Sequence, residues 1–266
     1  MVQGVVSGET FGFPPGYFTI RSLASNRVLD VAGDSIEDGS ELTLWPEKER
    51  SLVESMRNPD ANNQVFFIDT SGALCSRSSG HALDVEGDRI VLRHRRPVSY
   101  PYPNEYAHPL PNFAYSEDTG EITVTFSSDP SYPLPDAPQS HTWKYKTYVL
   151  VYIPTRKPKS LLDNASQVLS SAVTTPISFL TGRSPPRRAK PEEVFGAEFD
   201  LAEDEILEED KGIENEADDS PEPGRAIRVL GIVDKENSDK LLTYEARNRR
   251  RWEVSGLRTT NAKSLA

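Results

Sequence analysis

Four side chains able to grip a polyhydroxylated ring occur early in the chain: a carboxylate at Asp30, an indole at Trp45, an ammonium at Lys48 and an amide at Asn63. A sugar ring carries hydroxyls on its edge and apolar C–H patches on its faces. Holding it takes an aromatic plane for one face and a carboxylate or amide for adjacent hydroxyls. Asp30 is the candidate carboxylate, Trp45 the candidate plane, Asn63 the candidate amide and Lys48 a candidate rim donor. Two of them have an equally simple structural reading. Trp45 could fill a core, and Asp30 could cap a turn by bonding nearby backbone amides.

Asp30 belongs to a repeated segment. RSLASNRVLDVAGD at 21–34 aligns with CSRSSGHALDVEGD at 75–88 without gaps, at a constant offset of 54, and seven of fourteen positions are identical. Short β-branched and aromatic runs, YFTIRSL, RVLDV and ELTLW, are separated by Ser, Asn, Gly and Asp turns, which predicts strands. ALCSR, HALDV and RIVLRH supply the same elements in the second copy. Two such units leave open sheet edges, so a closed all-β fold needs a third. YSEDTGEITVTF at 115–126 reads as its start and WKYKTYVLVYI at 143–153 as its next strand. AIRVLGIV at 226–233 and RWEVSGL at 251–257 read as strands that complete it. The second copy keeps the carboxylate as Asp84, but Arg93 stands where the first copy has Trp45. A guanidinium stacks less well on C–H faces, so Asp84 and Arg93 form a degenerate second site.

The order of these elements resembles the ricin B-type lectin family. That repeat carries a Leu-Asp-Val-like strand, a Gly-containing turn, a strand ending in Leu-Trp and a Gln-x-Trp closure. Here the first copy has Leu29-Asp30-Val31, Gly33, Leu44-Trp45 and Gln64-Val65-Phe66, with Phe in place of the closing Trp. The resemblance covers roughly 16–115. It implies a β-trefoil in which the closing Gln and aromatic are core residues, and it implies sugar contacts at Asp30, Trp45 and Asn63. The family often has an amide two residues before the Trp; this chain has Thr43, and its loop from Glu47 to Ala61 is long. The implied function is non-catalytic glycan binding through one site in the first repeat. The alternative is a trefoil that has lost sugar binding and serves as a protein-interaction scaffold.

The later chain differs in character. Leu161, Leu162, Ala165, Val168, Leu169, Ala172 and Val173 recur at helical spacing. Between Glu192 and Glu222 there are fifteen Asp or Glu against one Lys, so this stretch holds the excess of the net charge of -11 and the remainder is near neutral. The expected organisation is therefore all-β: a β-trefoil with a disordered acidic insertion and a short amphipathic helix. Its expected parts are two repeats and the start of a third over 14–155, the helix and linker over 156–181, the disordered insertion over 182–225, the completing strands over 226–258 and a disordered tail over 259–266.

Several function classes lack support in the sequence. A near-neutral folded part does not suit nucleic acid, which calls for a strong basic face. His81, His94, His108 and His141 are not at metal-ligand spacing, and Cys75 has no motif around it. There is no phosphate-binding Gly-rich loop and no nucleophile elbow. These readings predict no enzyme and no cofactor. The partners expected are glycans, with the acidic insertion as a candidate contact for a protein. MVQGVVSGETFGF lacks the basic start and apolar run of a signal peptide, and no apolar stretch is long enough to cross a membrane. The location expected is cytoplasmic, with the nucleus as the alternative.

Overall fold

The structure, a computed structural model, describes residues 9–138, 140–156, 217–218 and 224–259. Twelve strands fall into three units of four. The first is β1 (Tyr17–Ser22), β2 (Val28–Val31), β3 (Leu42–Trp45) and β4 (Phe66–Ile68). The second is β5 (Leu74–Ser76), β6 (Ala82–Glu86), β7 (Arg89–Arg93) and β8 (Asn112–Ser116). The third is β9 (Glu121–Thr125), β10 (Lys146–Tyr152), β13 (Arg225–Val233) and β14 (Trp252–Gly256). A separate two-residue pair, β11 (Thr155–Arg156) with β12 (Ala217–Asp218), lies between β10 and β13 in the chain. Two short helices, α1 (Lys235–Leu241) and α2 (Tyr244–Arg249), connect β13 to β14.

The pairing defines a β-trefoil. In each unit the second and third strands form an antiparallel hairpin: β2 with β3, β6 with β7, and β10 with β13. The outer strands pair within the first unit through β1–β4 and join successive units through β4–β5 and β8–β9. The last strand then returns to the first: β14 pairs β1 from Phe18↔Gly256 to Ser22↔Trp252. This closure covers an edge that would otherwise be free to recruit another chain.

Alternation along the strands builds one core with threefold repetition. The hairpins contribute Leu29, Val31, Leu42 and Leu44, then Leu83, Val85, Ile90 and Leu92, then Leu150, Tyr152, Ile227 and Val229. The joining strands add Phe18, Ile20, Phe66, Leu74, Phe113, Ile122 and Trp252. Each fully buried side chain of this size contributes about 1.5–3 kcal/mol. Trp252 also satisfies its indole N–H, which donates to the Leu150 carbonyl at 3.0 Å.

The repeated residues have repeated jobs. Ser22 and Ser76 take the Arg27 and His81 carbonyls with their backbone N–H groups, closing the turns after β1 and β5. Ser25 and Ser79 accept from the N–H of Arg27 and of His81 in those same turns. Gly33 and Gly87 have φ of 64° and 67°, the left-handed region where a Cβ is costly.

Three expectations shift at their boundaries. Arg225, placed in the disordered insertion, opens β13, and Ala217–Asp218 form backbone pairs with Thr155–Arg156. The strand expected from Trp143 starts at Lys146, because Thr142–Tyr145 form a 3-10 turn. The amphipathic pattern from Leu161 to Val173, the rest of the acidic segment and residues 260–266 lie outside the described residues.

Candidate functional site

Strand alternation decides what faces outward on the first hairpin. Leu29 and Val31 point into the core, so Asp30 between them points out; Leu42 and Leu44 point in, so Thr43 and Trp45 point out. Asp30 lies opposite Thr43, and Trp45 lies opposite Val28. Asp30 and Trp45 are thus diagonal neighbours on one face, the relation at which large side chains can reach each other.

A 3-10 turn at Pro59–Gln64 brings the amides to this face. Its start is set by Pro59 and by the Asn58 side chain, which accepts from the Asp60 N–H. The Gln64 amide donates to Asp30 Oδ2 at 2.8 Å and to the Pro46 carbonyl at 2.9 Å, while its oxygen accepts from the Lys48 N–H at 2.9 Å. Asn63 donates to the Val31 carbonyl at 3.4 Å and accepts from Lys48 Nζ at 3.3 Å. Lys48 Nζ also bonds the Asp34 carboxylate and lies 3.8 Å from Asp30 Oδ2.

The structure therefore joins Asp30, Asn63 and Lys48 in one network and sets Trp45 beside it. Trp45 is 42% exposed, which removes its reading as a core residue. Asp30 is only 3% exposed. Burial pushes its pKa up, against the opposing pull of Gln64, Lys48 and Asn63. Two members escaped sequence reasoning. Gln64 is buried, as a closing residue should be, but it also aims Asp30. Asp34 holds Lys48, and the signal for it was its recurrence as Asp88.

The second hairpin has the same geometry with different chemistry. Arg93 lies opposite Ala82, as Trp45 lies opposite Val28. Arg93 Nε donates to Asp84 Oδ2 at 2.9 Å, and His108 Nε2 approaches the same oxygen at 2.9 Å. Asp84 Oδ1 accepts the Val85 N–H at 2.8 Å. His108 Nδ1 faces the Asn104 carbonyl at 2.8 Å, so both ring nitrogens meet acceptors and the imidazolium fits best. Burial opposes charge on Asp84, but His108 and Arg93 outweigh it and lower its pKa. Burial likewise opposes charge on His108, and Asp84 outweighs it, raising the pKa. Arg93 further contacts Glu86 at 3.1 Å and Asp38 at 3.5 Å. Asp84 thus has its oxygens committed within the protein. His108 gave no sequence signal, since it arrives from a Pro- and Tyr-rich loop well beyond the strand it serves.

On the third hairpin Val151 takes the outward position between Leu150 and Tyr152. It is buried with Val149, Ile153, Ala226, Leu230 and Ile232. One outer face therefore has a carboxylate beside an exposed indole, one is closed by an ion cluster, and one is apolar and buried. Among the described residues no cluster of three His, Cys, Asp or Glu could hold a metal. Burial pushes the Cys75 thiol up to about 11, which leaves it unreactive near neutral pH. No helix among the described residues is long and apolar enough to cross a membrane.

No family model and no curated protein matches this sequence. Among solved structures the chain is similar to the mdaA-1 domain, at 16% identity over 93% of this chain and 94% of that one, with a TM-score of 0.42. It is also similar to the C-half of the earthworm R-type lectin in complex with GalNAc, at 14% identity, 91% and 98% coverage and a TM-score of 0.38. A third is the Macrolepiota procera ricin B-like lectin in complex with lactose, at 11% identity, 95% and 99% coverage and a TM-score of 0.35. The trefoil assignment rests on the strand pairing of this chain.

Proposed function

We propose that this chain is a lectin-like, non-catalytic carbohydrate-binding protein whose sugar site is the outer face of the β2–β3 hairpin. The observation that carries this reading is the placement of Asp30, Asn63 and Lys48 in one hydrogen-bonded network beside the exposed Trp45. Trp45 supplies the plane for the C–H face of a ring. Asp30 accepts from adjacent hydroxyls, with Asn63 and Lys48 at the rim. Gln64 is a positioning residue: it holds Asp30 through 2.8 Å and takes no part in ligand contact itself. Asp84 and Arg93, bonded to each other and to His108, are left out of sugar binding.

A second reading is favoured by the 3% exposure of Asp30. If that carboxylate stays committed to Gln64 and Lys48, the trefoil is a protein-interaction scaffold and the acidic insertion is its contact. A glycan array on the wild-type chain, Trp45→Ala and Asp30→Asn separates the two. The lectin reading expects specific binding that both substitutions remove. An empty array for the wild type, or binding indifferent to both substitutions, supports the scaffold.

A further inference from the structure

Trp143 stands between two clefts on the third unit. One has a volume of 500 Å³ and lies between β9, the 3-10 turn at Thr142–Tyr145 and the start of β10; the other, of 250 Å³, extends toward Asp129 and Tyr132. Trp143 and Lys144 line both. The larger cleft is within the size range of small-ligand sites. Tyr148, packed edge-on to Phe126 at 4.8 Å, lines it together with Lys144 and Lys146. Lys144 Nζ sits 5.4 Å from the Trp143 ring centroid, a cation–π contact.

Charge distinguishes this cleft. Among the described residues neither Lys144 nor Lys146 has a carboxylate partner, and no carboxylate lines the 500 Å³ cleft. The 340 Å³ cleft beside the second hairpin is richer in cations, but they are already used: Arg93 holds Asp84, Arg95 holds Asp69 and Arg96 holds Asp38. An anion entering there must displace an internal carboxylate. An anion entering beside Trp143 meets two ammonium groups that no carboxylate among the described residues holds.

Gly231 is the second observation. It lies in the interior of β13 opposite Tyr148, where a glycine weakens a strand. A Cβ there would come within 2.8 Å of Lys146 Cδ and 2.9 Å of Tyr148 Cε1. The missing side chain is what lets Lys146 and Tyr148 lie across β13 at the cleft wall.

We propose that the cleft at Trp143 binds an acidic carbohydrate, with the ring stacked on Trp143 and a ring carboxylate or sulfate ester held by Lys144 and Lys146. An aromatic plane beside two close cations suits the C–H face and the acid group of one ring; an acidic peptide would call for cations spread along an extended groove. The site shares no residue with the face at Asp30 and Trp45.

Calorimetric titration of the full chain tests it. The probes are a glucuronate-bearing disaccharide, a sulfated disaccharide and the neutral parent sugar, against wild type, the double variant Lys144→Gln/Lys146→Gln, and Asp30→Asn. At least one acidic probe should bind the wild type about tenfold or more tighter than the neutral parent. The double lysine variant should lose that advantage, added salt should erode it, and Asp30→Asn should retain it. Four results would overturn the proposal: no preference for an acidic probe, a preference that survives in the double variant, a preference lost in Asp30→Asn, or equal competition by a polyglutamate peptide. Failure of the first-hairpin reading would show separately, as neutral-sugar binding indifferent to Asp30→Asn.

Discussion

Asp84 accepts from Arg93, from His108 and from the Val85 N–H, whereas the equivalent Asp30 is held by Gln64 and more distantly by Lys48. The difference in partners gives the two carboxylates opposite pKa directions, and so opposite roles in stability. Removing Asp84 leaves His108 buried without its carboxylate and takes from Arg93 its closest one. Asp84→Ala should therefore cost about 3–5 kcal/mol in urea unfolding and leave sugar binding at the first hairpin in place. Asp30→Asn should cost little or nothing at neutral pH, because a carboxylate with a raised pKa favours folding only when protonated, and that benefit disappears as pH rises through its folded pKa. A melting temperature that collapsed in Asp30→Asn would make that carboxylate structural. His108 supplies a pH test. Its pKa is raised in the folded state, so its contribution is complete below its ordinary value of 6.5 and is lost as pH climbs through the raised one. Asp84, with a lowered pKa, contributes above its ordinary 3.8 and loses that contribution as pH falls. The stability gap between wild type and His108→Gln should reach about 1–3 kcal/mol near pH 6 and narrow as pH rises through the raised pKa. A gap that widened with rising pH would contradict a charged His108 in the fold.

The first two hairpins were legible in the sequence because Leu-Asp-Val recurs at a fixed offset, with alternate residues facing core and solvent. Asp30 could be nominated from that repeat, whereas Trp45, Lys48 and Asn63 rested on their chemistry and on the family resemblance. The third hairpin was harder to read. Val151 replaces the carboxylate, so the marker of the repeat is gone, and residues 153–224 separate β10 from β13. Only the apolar character of 226–233 and Trp252 hinted that the unit was completed after the insertion. The position of His108 was not legible at all, since no local pattern links it to Asp84. The pairing of β10 with β13 over seven residues, and of β14 with β1 over five, makes a direct prediction. A chain with a protease site introduced within 182–216, once cut, should elute as one complex under native conditions. Elution as two separate fragments would contradict the pairing. Trp252→Ala should cost about 3–5 kcal/mol, as the loss of a buried indole shared by the core of all three units.

In the molecule as a whole, three similar hairpins surround one core but offer three different outer surfaces, and this sets the expected strength of binding. A single site for a monosaccharide of about a dozen heavy atoms, at ~0.3 kcal/mol per atom, gives a Kd of about 1 mM. A monomer with that affinity would need clustered glycans or self-association for useful avidity, a gain of ~10² or more. The acidic segment holds the excess negative charge of the sequence, and directly after it the Gly224 N–H donates to the Leu44 carbonyl beside Trp45, so its removal should change the first hairpin's affinity. The most direct test of the sugar site is an amide chemical-shift titration of the full chain with a panel of neutral monosaccharides. The account predicts saturable shifts clustered around Asp30, Trp45, Lys48 and Asn63, with Asp84 and Arg93 unmoved, and their loss in Trp45→Ala. Shifts centred on Asp84 and Arg93, or clustered shifts that persist in Trp45→Ala, would contradict it.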